Sequence, residues 1–169
     1  MHNKEKIYRV GIGYDIHPFC EGRKLFLGGI EIPFHKGLKG HSDGDVLIHS
    51  IMDALLGAMG LPDIGFFFPN TEPKYENIRS TELLKVIRQK IKEGNFYIEN
   101  IDSMIIAEEP KIMPHRENII RNLADLLEVP NSTINIKATT NEGLGVIGKG
   151  EGIAVFSIAL LSKEKNNGE

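Results

Sequence analysis

The stretch Gly152-Ile153-Ala154-Val155-Phe156-Ser157-Ile158-Ala159-Leu160-Leu161 carries no charge and puts apolar residues on both of its faces. In an extended chain successive side chains leave opposite sides, so Ile153, Val155, Ala159 and Leu161 share one face and Ala154, Phe156, Ile158 and Leu160 the other. A strand apolar on both faces must be covered twice. Working outward, helical periodicity is confined to residues 44–59, 80–93 and about 114–128, which end at Gly60 and Pro62, at Gly94, and before Pro130. Three helices supply one cover, so the second is expected to be another copy of the chain. Further strands are expected at 7–15, where Gly11 and Gly13 mark a close approach, and at 96–107 and 133–139. Residues 24–27 and 31–34 read as a hairpin around Gly28-Gly29. These elements predict an α/β domain of α+β character, a mixed sheet with helices packed on one face and the other face turned toward partner subunits.

At 169 residues, with 41% hydrophobic and 25% charged side chains, the chain suits one globular domain spanning 1–169, with 162–169 as a polar tail. A net charge of -3 gives no footprint for nucleic acid. Cys20 is the sole cysteine, which excludes a disulfide framework or thiolate cluster, so any metal must use His and carboxylates. Residues 1–9 are charged and lack the apolar core of a signal peptide, and no run is long enough to span a bilayer. A cytoplasmic, reducing setting is expected.

Asp15 and His17 lie two apart on an expected strand, so both side chains leave one face and can meet at a cation. The helix that follows is apolar around most of its circumference, and its polar stripe is Asp45, His49 and Asp53. His49 is the candidate third ligand, with a neighbouring carboxylate orienting its ring. The spacing alone fits a solvated stripe equally well. Two imidazoles and a carboxylate with a fourth position open suit catalytic zinc, and ferrous iron in a facial triad fits the same set. His41 and Ser42 precede this helix. Ser42 reads as its N-cap with Asp45 three residues on, and the helix end could instead receive a phosphate beside His41, which otherwise is a surface histidine. Residues 137–145 close a strand in a loop of hydroxyls, an acid and two glycines, suited to phosphate but equally to a polar turn.

Five separated blocks in order carry a resemblance over nearly the whole chain. They are Asp15 with His17, His41-Ser42-Asp43-Gly44-Asp45 leading to His49, Asp63-Ile64-Gly65, the strand end at Lys137 to Thr140, and Gly148-Lys149-Gly150-Glu151-Gly152. The sequence resembles the 2-C-methyl-D-erythritol 2,4-cyclodiphosphate synthase family of non-mevalonate isoprenoid biosynthesis. The resemblance implies a phosphorus-oxygen lyase that cyclises 4-diphosphocytidyl-2-C-methyl-D-erythritol 2-phosphate and releases CMP. It implies zinc or another divalent cation on Asp15, His17 and His49, and magnesium or manganese held by Glu142 with the substrate diphosphate. His41 and Thr140 match the positions that stabilise the transition state. The implied substrate contacts are Ser42, Asp63, Ile64, Gly65, Phe68, Pro69, Asn70, Thr71 and Glu72 around the methylerythritol. Ala107, Glu108, Glu109, Pro110, Lys111, Ile112 and Met113 match the cytidine pocket, with Thr139, Asn141, Val146 and Lys149 completing the set. The family implies a homotrimer with active sites between subunits, and no nucleic-acid or membrane partner.

Asn70 and Glu72 stand where the family more often has Asp, and Asn141 where a small hydroxyl residue is common. Lys149 stands where Arg is frequent, at an anion site along the trimer axis. Lysine keeps the charge and loses the bidentate fork. Two other readings use the same residues: a zinc phosphohydrolase that activates water, and a trimeric nucleotide-binding scaffold without turnover.

Overall fold

The segment expected to need two covers is the central strand of the sheet. The computed structural model describes residues 5–165. The strands are β1 (Lys6–Cys20), β2 (Leu25–Leu27), β3 (Ile30–Ile32), β4 (Gly37–Leu38), β5 (Tyr97–Ile106), β6 (Ile134–Thr139) and β7 (Gly152–Glu164). The helices are α1 (Val46–Met59), α2 (Ile64–Phe67), α3 (Ser80–Glu93), α4 (Arg116–Leu127) and α5 (Gly145–Gly148). The main sheet runs β4-β1-β7-β5-β6, and β2 and β3 form a separate hairpin. β1 and β7 pair antiparallel from Lys6 opposite Glu164 to Pro18 opposite Gly152, whereas β5 and β6 are parallel, giving a mixed sheet.

One face of β7, with Ile153, Val155, Ser157, Ala159 and Leu161, is buried under the helices. α1 lies across β1 and β7, α3 packs on α1, and α4 packs on α3 and β6. The opposite face is open: Val10 is 68% exposed, Ile12 66%, Phe156 44% and Ile158 48%. Tyr14 and Phe156 stack there with ring centroids 4.6 Å apart. This is an apolar strip on β1 and β7 that one chain leaves uncovered.

The two glycines of β1 make the approach of α1 possible. A Cβ at Gly11 would sit 1.9 Å from the Ala54 carbonyl oxygen, and one at Gly13 would sit 1.9 Å from that of Ser50. Helix backbone therefore rests directly on strand backbone. Between them runs a buried row of hydroxyls: Ser50 Oγ lies 3.2 Å from the Gly13 carbonyl and 2.8 Å from Ser157 Oγ, itself 2.8 Å from Ser103 Oγ.

Helix α3 and the stop of α1 at Gly60, which is left-handed, match the sequence reading. The start of α1 differs. Its N-cap is Asp45, whose Oδ1 accepts from the Ile48 and Gly28 amides and whose Oδ2 accepts from Gly29. Asp45 is fully buried, so the solvated-stripe reading fails. The helix end is thus capped by its own carboxylate. Burial, with Asp43 alongside, raises the Asp45 pKa against these hydrogen bonds.

The polar tail begins later than expected. β7 continues through Ser162, which is buried and donates to Glu99, to Glu164, and Lys165 pairs with Glu5. Residues 166–169 of that expected tail lie outside the described residues. α2 and α5 lie outside the three expected helices, because a single turn leaves no periodicity to detect. No helix among the described residues is long and apolar enough to cross a membrane.

Candidate active site

β1 runs on past Asp15 to Cys20, so Asp15 and His17 project from the helix-covered face near its end, and the first turns of α1 bring His49 up to them. His17 Nε2 lies 2.9 Å from Asp15 Oδ2, His49 Nδ1 lies 3.0 Å from the same oxygen, and the two nitrogens are 3.4 Å apart. Four ligands placed tetrahedrally about 2.0–2.1 Å from zinc would be about 3.3–3.4 Å from one another. The three atoms thus fit three corners of such a site with little movement. Among the described residues this is the one cluster of His, Cys, Asp or Glu that converges in this way. The donor set, two imidazoles and a carboxylate without sulfur, suits a catalytic divalent cation.

The electrostatics agree. Burial alone would raise Asp15, but hydrogen bonds from His17 and His49 outweigh it and hold the carboxylate well below its ordinary range. Burial opposes charge on His17 as well, and its bond to Asp15 overcomes this and raises its pKa. A cation would take over the part that these protons play.

Each imidazole is held from behind. His17 Nδ1 donates to the Lys39 carbonyl at 2.5 Å. His49 Nε2 lies 2.9 Å from Ser80 Oγ and 3.1 Å from Ser42 Oγ. Ser80 in turn donates to Asp43 Oδ1 at 2.5 Å, and Asp43 Oδ2 accepts from the Ser80 amide and Arg79 Nε. The carboxylate expected to orient His49 is therefore neither Asp45 nor Asp53, which accepts from the Ile64 amide instead. It is Asp43, acting through a serine.

The triad opens into a cleft of about 420 Å³ that also gathers His41, Ser42, Ile64, Gly65, Phe68, Pro69, Asn70 and Thr71. Tyr75 and Leu83, which the sequence did not point to, complete its wall. Asp63 is the N-cap of α2, accepting from the Phe66 amide, and both it and Glu72 are outside the lining. Ala107, Pro110, Lys111, Ile112 and Met113 gather elsewhere, with Thr139 and Thr140, around a cavity of about 130 Å³. Next to it Glu108 accepts from the Asn141 amide and Thr140 Oγ1 donates to Glu142 at 2.9 Å. Glu142 holds a left-handed backbone at φ 51°, which is uncommon outside glycine. Lys149 lines a third groove with His35, Lys36, Glu108 and Glu109, and Val146 is exposed. Within one chain, then, the triad is not joined by Thr140, Glu142, Val146 or Lys149.

Residues 8–162 match the YgbB family. A protein of Clostridium acetobutylicum named 2-C-methyl-D-erythritol 2,4-cyclodiphosphate synthase is 56% identical over 153 residues, 90% of this chain and 99% of that one. A protein of the same name from Desulfatibacillum aliphaticivorans is 53% identical with the same coverage. Among solved structures, IspF of Plasmodium falciparum in complex with CDP superposes with a TM-score of 0.82 at 41% identity, over 94% of this chain and 97% of that one. The bifunctional IspDF of Campylobacter jejuni gives 0.91 at 45% identity, over 94% of this chain but 43% of the longer protein. Sequence and fold agree along the same span, and the chain belongs to the YgbB family.

Proposed function

We propose that the protein converts 4-diphosphocytidyl-2-C-methyl-D-erythritol 2-phosphate into 2-C-methyl-D-erythritol 2,4-cyclodiphosphate and CMP, in a cytoplasmic setting. The observation that carries this reading is the Asp15, His17 and His49 triad at the mouth of a cleft, in a chain about half identical to synthases of that name. An oxygen of the 2-phosphate attacks the β-phosphorus, and the bond from that phosphorus to the oxygen bridging to the α-phosphate breaks. CMP leaves with the bonding pair. The attacking phosphate monoester is already largely doubly ionised, since its second pKa is about 6. The chain therefore needs no general base. Its task is to hold two anionic groups in line and offset their repulsion.

Asp15, His17 and His49 would hold zinc, and Glu142 a magnesium or manganese ion; bound divalent ions would neutralise charge on the diphosphate. His41, at the exposed rim of the cleft, is suited to donate to a phosphoryl oxygen, with Thr140 aligning the diphosphate from the other side. Ser42, Asp63, Ile64, Gly65 and the Phe68 to Glu72 segment would take the methylerythritol. Ala107 to Met113, Thr139, Asn141 and Val146 would take the cytidine phosphate, with Lys149 at a separate anion position. That the two clefts share no lining residue within one chain favours a homotrimer in which each site combines halves from neighbouring copies, and the exposed strip of Val10, Ile12, Phe156 and Ile158 favours burial against such copies.

Phosphorus NMR of the purified protein with the diphosphocytidyl substrate tests the reaction. The expected products are the cyclic diphosphate and CMP, with turnover abolished by chelator; linear hydrolysis products would overturn the reading. For the assembly, Ile158→Glu is expected to sediment as a monomer and lose about 100-fold in turnover through lost positioning, while still binding zinc. An Ile158→Glu monomer as active as the parent would refute sites shared between copies.

A further inference from the structure

We infer that Asp43 and Ser80 are positioning residues that fix which ring nitrogen of His49 is free to bind the metal, an inference that rests on the metal reading above. His17 and His49 are held differently. The partner behind His17 is a main-chain carbonyl, Lys39 O, which can only accept and which no substitution removes. The partner behind His49 is a hydroxyl, and a hydroxyl can accept or donate. Something must decide which.

Asp43 decides it. When a cation sits on the Asp15 side, His49 must present a bare lone pair at Nδ1, and its ring proton must then reside on Nε2. That proton needs an acceptor. Ser80 Oγ is 2.9 Å away and its own hydrogen points to Asp43 Oδ1 at 2.5 Å, so its oxygen faces His49 with lone pairs only. Asp43 cannot rotate out of this duty, because Oδ2 is held by the Ser80 amide and by Arg79 Nε, each at 3.0 Å. Both residues are buried, Ser80 completely, so water does not substitute for either. The other hydroxyl, Ser42 Oγ, lies 3.1 Å from Nε2, 3.4 Å from the Gly44 amide and 3.5 Å from Ser80 Oγ, with no carboxylate among these partners.

An amide at position 43 would reverse the arrangement. With its oxygen toward the Ser80 and Arg79 N–H groups, the NH2 of an asparagine would donate to Ser80 Oγ and turn the serine hydrogen toward His49 Nε2, at the loss of the acceptor that Oδ1 offers the Asp45 amide. That favours a proton on Nδ1, where the metal must bind. A merely structural role for Asp43, through its ion pair with Arg79 and its bond from the Ser80 amide, predicts lost stability but little change in the zinc affinity of the folded variant. The relay predicts a large one.

Zinc dissociation constants by chelator competition, together with proton–nitrogen correlation spectra of histidine-labelled, zinc-loaded protein, test this. Asp43→Asn is expected to weaken zinc binding about 10–100-fold and to abolish the slowly exchanging His49 Nε2–H signal. Ser80→Ala is expected to act the same way without touching the Asp43–Arg79 ion pair, and decides the matter if Asp43→Asn does not fold. Ser80→Thr, which keeps the hydroxyl, is expected to restore the signal. Zinc affinity within about twofold of the parent in the folded Asp43→Asn or Ser80→Ala variant would overturn the relay. A parent protein that fails to bind zinc would instead remove the metal reading, and this inference with it.

Discussion

Gly13→Ala is expected to destabilise the protein by more than about 3 kcal/mol, visible as a lowered urea midpoint, and to abolish zinc binding in whatever remains folded. The added methyl would lie 1.9 Å from the Ser50 carbonyl oxygen and 2.8 Å from the Ala54 nitrogen. Both are main-chain atoms of α1, so no rotamer change makes room, and the helix must retreat by roughly 1.5 Å to reach ordinary contact. His49 belongs to that helix, one residue before Ser50, whereas Asp15 and His17 belong to the strand it would leave. A triangle with edges of 2.9, 3.0 and 3.4 Å cannot survive such a retreat. Stability close to that of the parent would show that α1 does not rest on β1 as described.

Asp15→Asn should lose the same function by the opposite route. Removing a ligand oxygen is expected to abolish tight zinc binding and to lower turnover by about 1000-fold or more, since a group that offsets developing phosphoryl charge is worth at least as much as an oxyanion-hole donor. The fold should hold, with a change of about 1 kcal/mol or less at pH 8. The reason lies in the charges: burial disfavours a charged His17, and Asp15, with a smaller contribution from the Lys39 carbonyl, raises its pKa against that burial. Without that carboxylate the imidazole is neutral at pH 8, and no buried charge is left alone. Chelator competition, turnover and urea denaturation together check this. Zinc retained at parental affinity would remove Asp15 from the ligand set.

The elements legible in the sequence are those whose physics is local. Helix α3 was readable because its period, its start at Ser80 and its stop at Gly94 all agree within one segment. The close approach over β1 was readable because glycine is otherwise costly in a strand. The convergence of Asp15 and His17 followed from strand geometry alone. What escaped depends on distant partners. Ser42 and Asp45 are equally good caps by composition, and the choice between them turns on His49, which draws the Ser42 hydroxyl away, and on the Gly28 and Gly29 amides, which need the Asp45 carboxylate. Asp43 and Ser80 read as ordinary helix-end residues because their common purpose exists only when α3 meets the start of α1. Tyr75 and Leu83 entered the cleft through the packing of α3 and the turn before it, which no local pattern encodes. The scatter of Thr140, Glu142 and Lys149 over other surfaces was invisible for a related reason, since sequence blocks give membership of a site without saying whether one chain completes it.

The hydroxyl row of Ser50, Ser157 and Ser103 adds a constraint of another kind. Gly11 and Gly13 make a short track under α1, and a slide of one turn, about 5.4 Å, would carry helix backbone past it onto a residue with a Cβ. Such a slide would also take the Ser50 hydroxyl away from the Gly13 carbonyl and Ser157 Oγ in a dry interior, at a cost of about 1–3 kcal/mol, while Ser157 and Ser103, both on the sheet, keep each other. Ser50 and the two glycines thus act together on where along the track α1 stops, and that stopping point sets His49 level with Asp15 and His17.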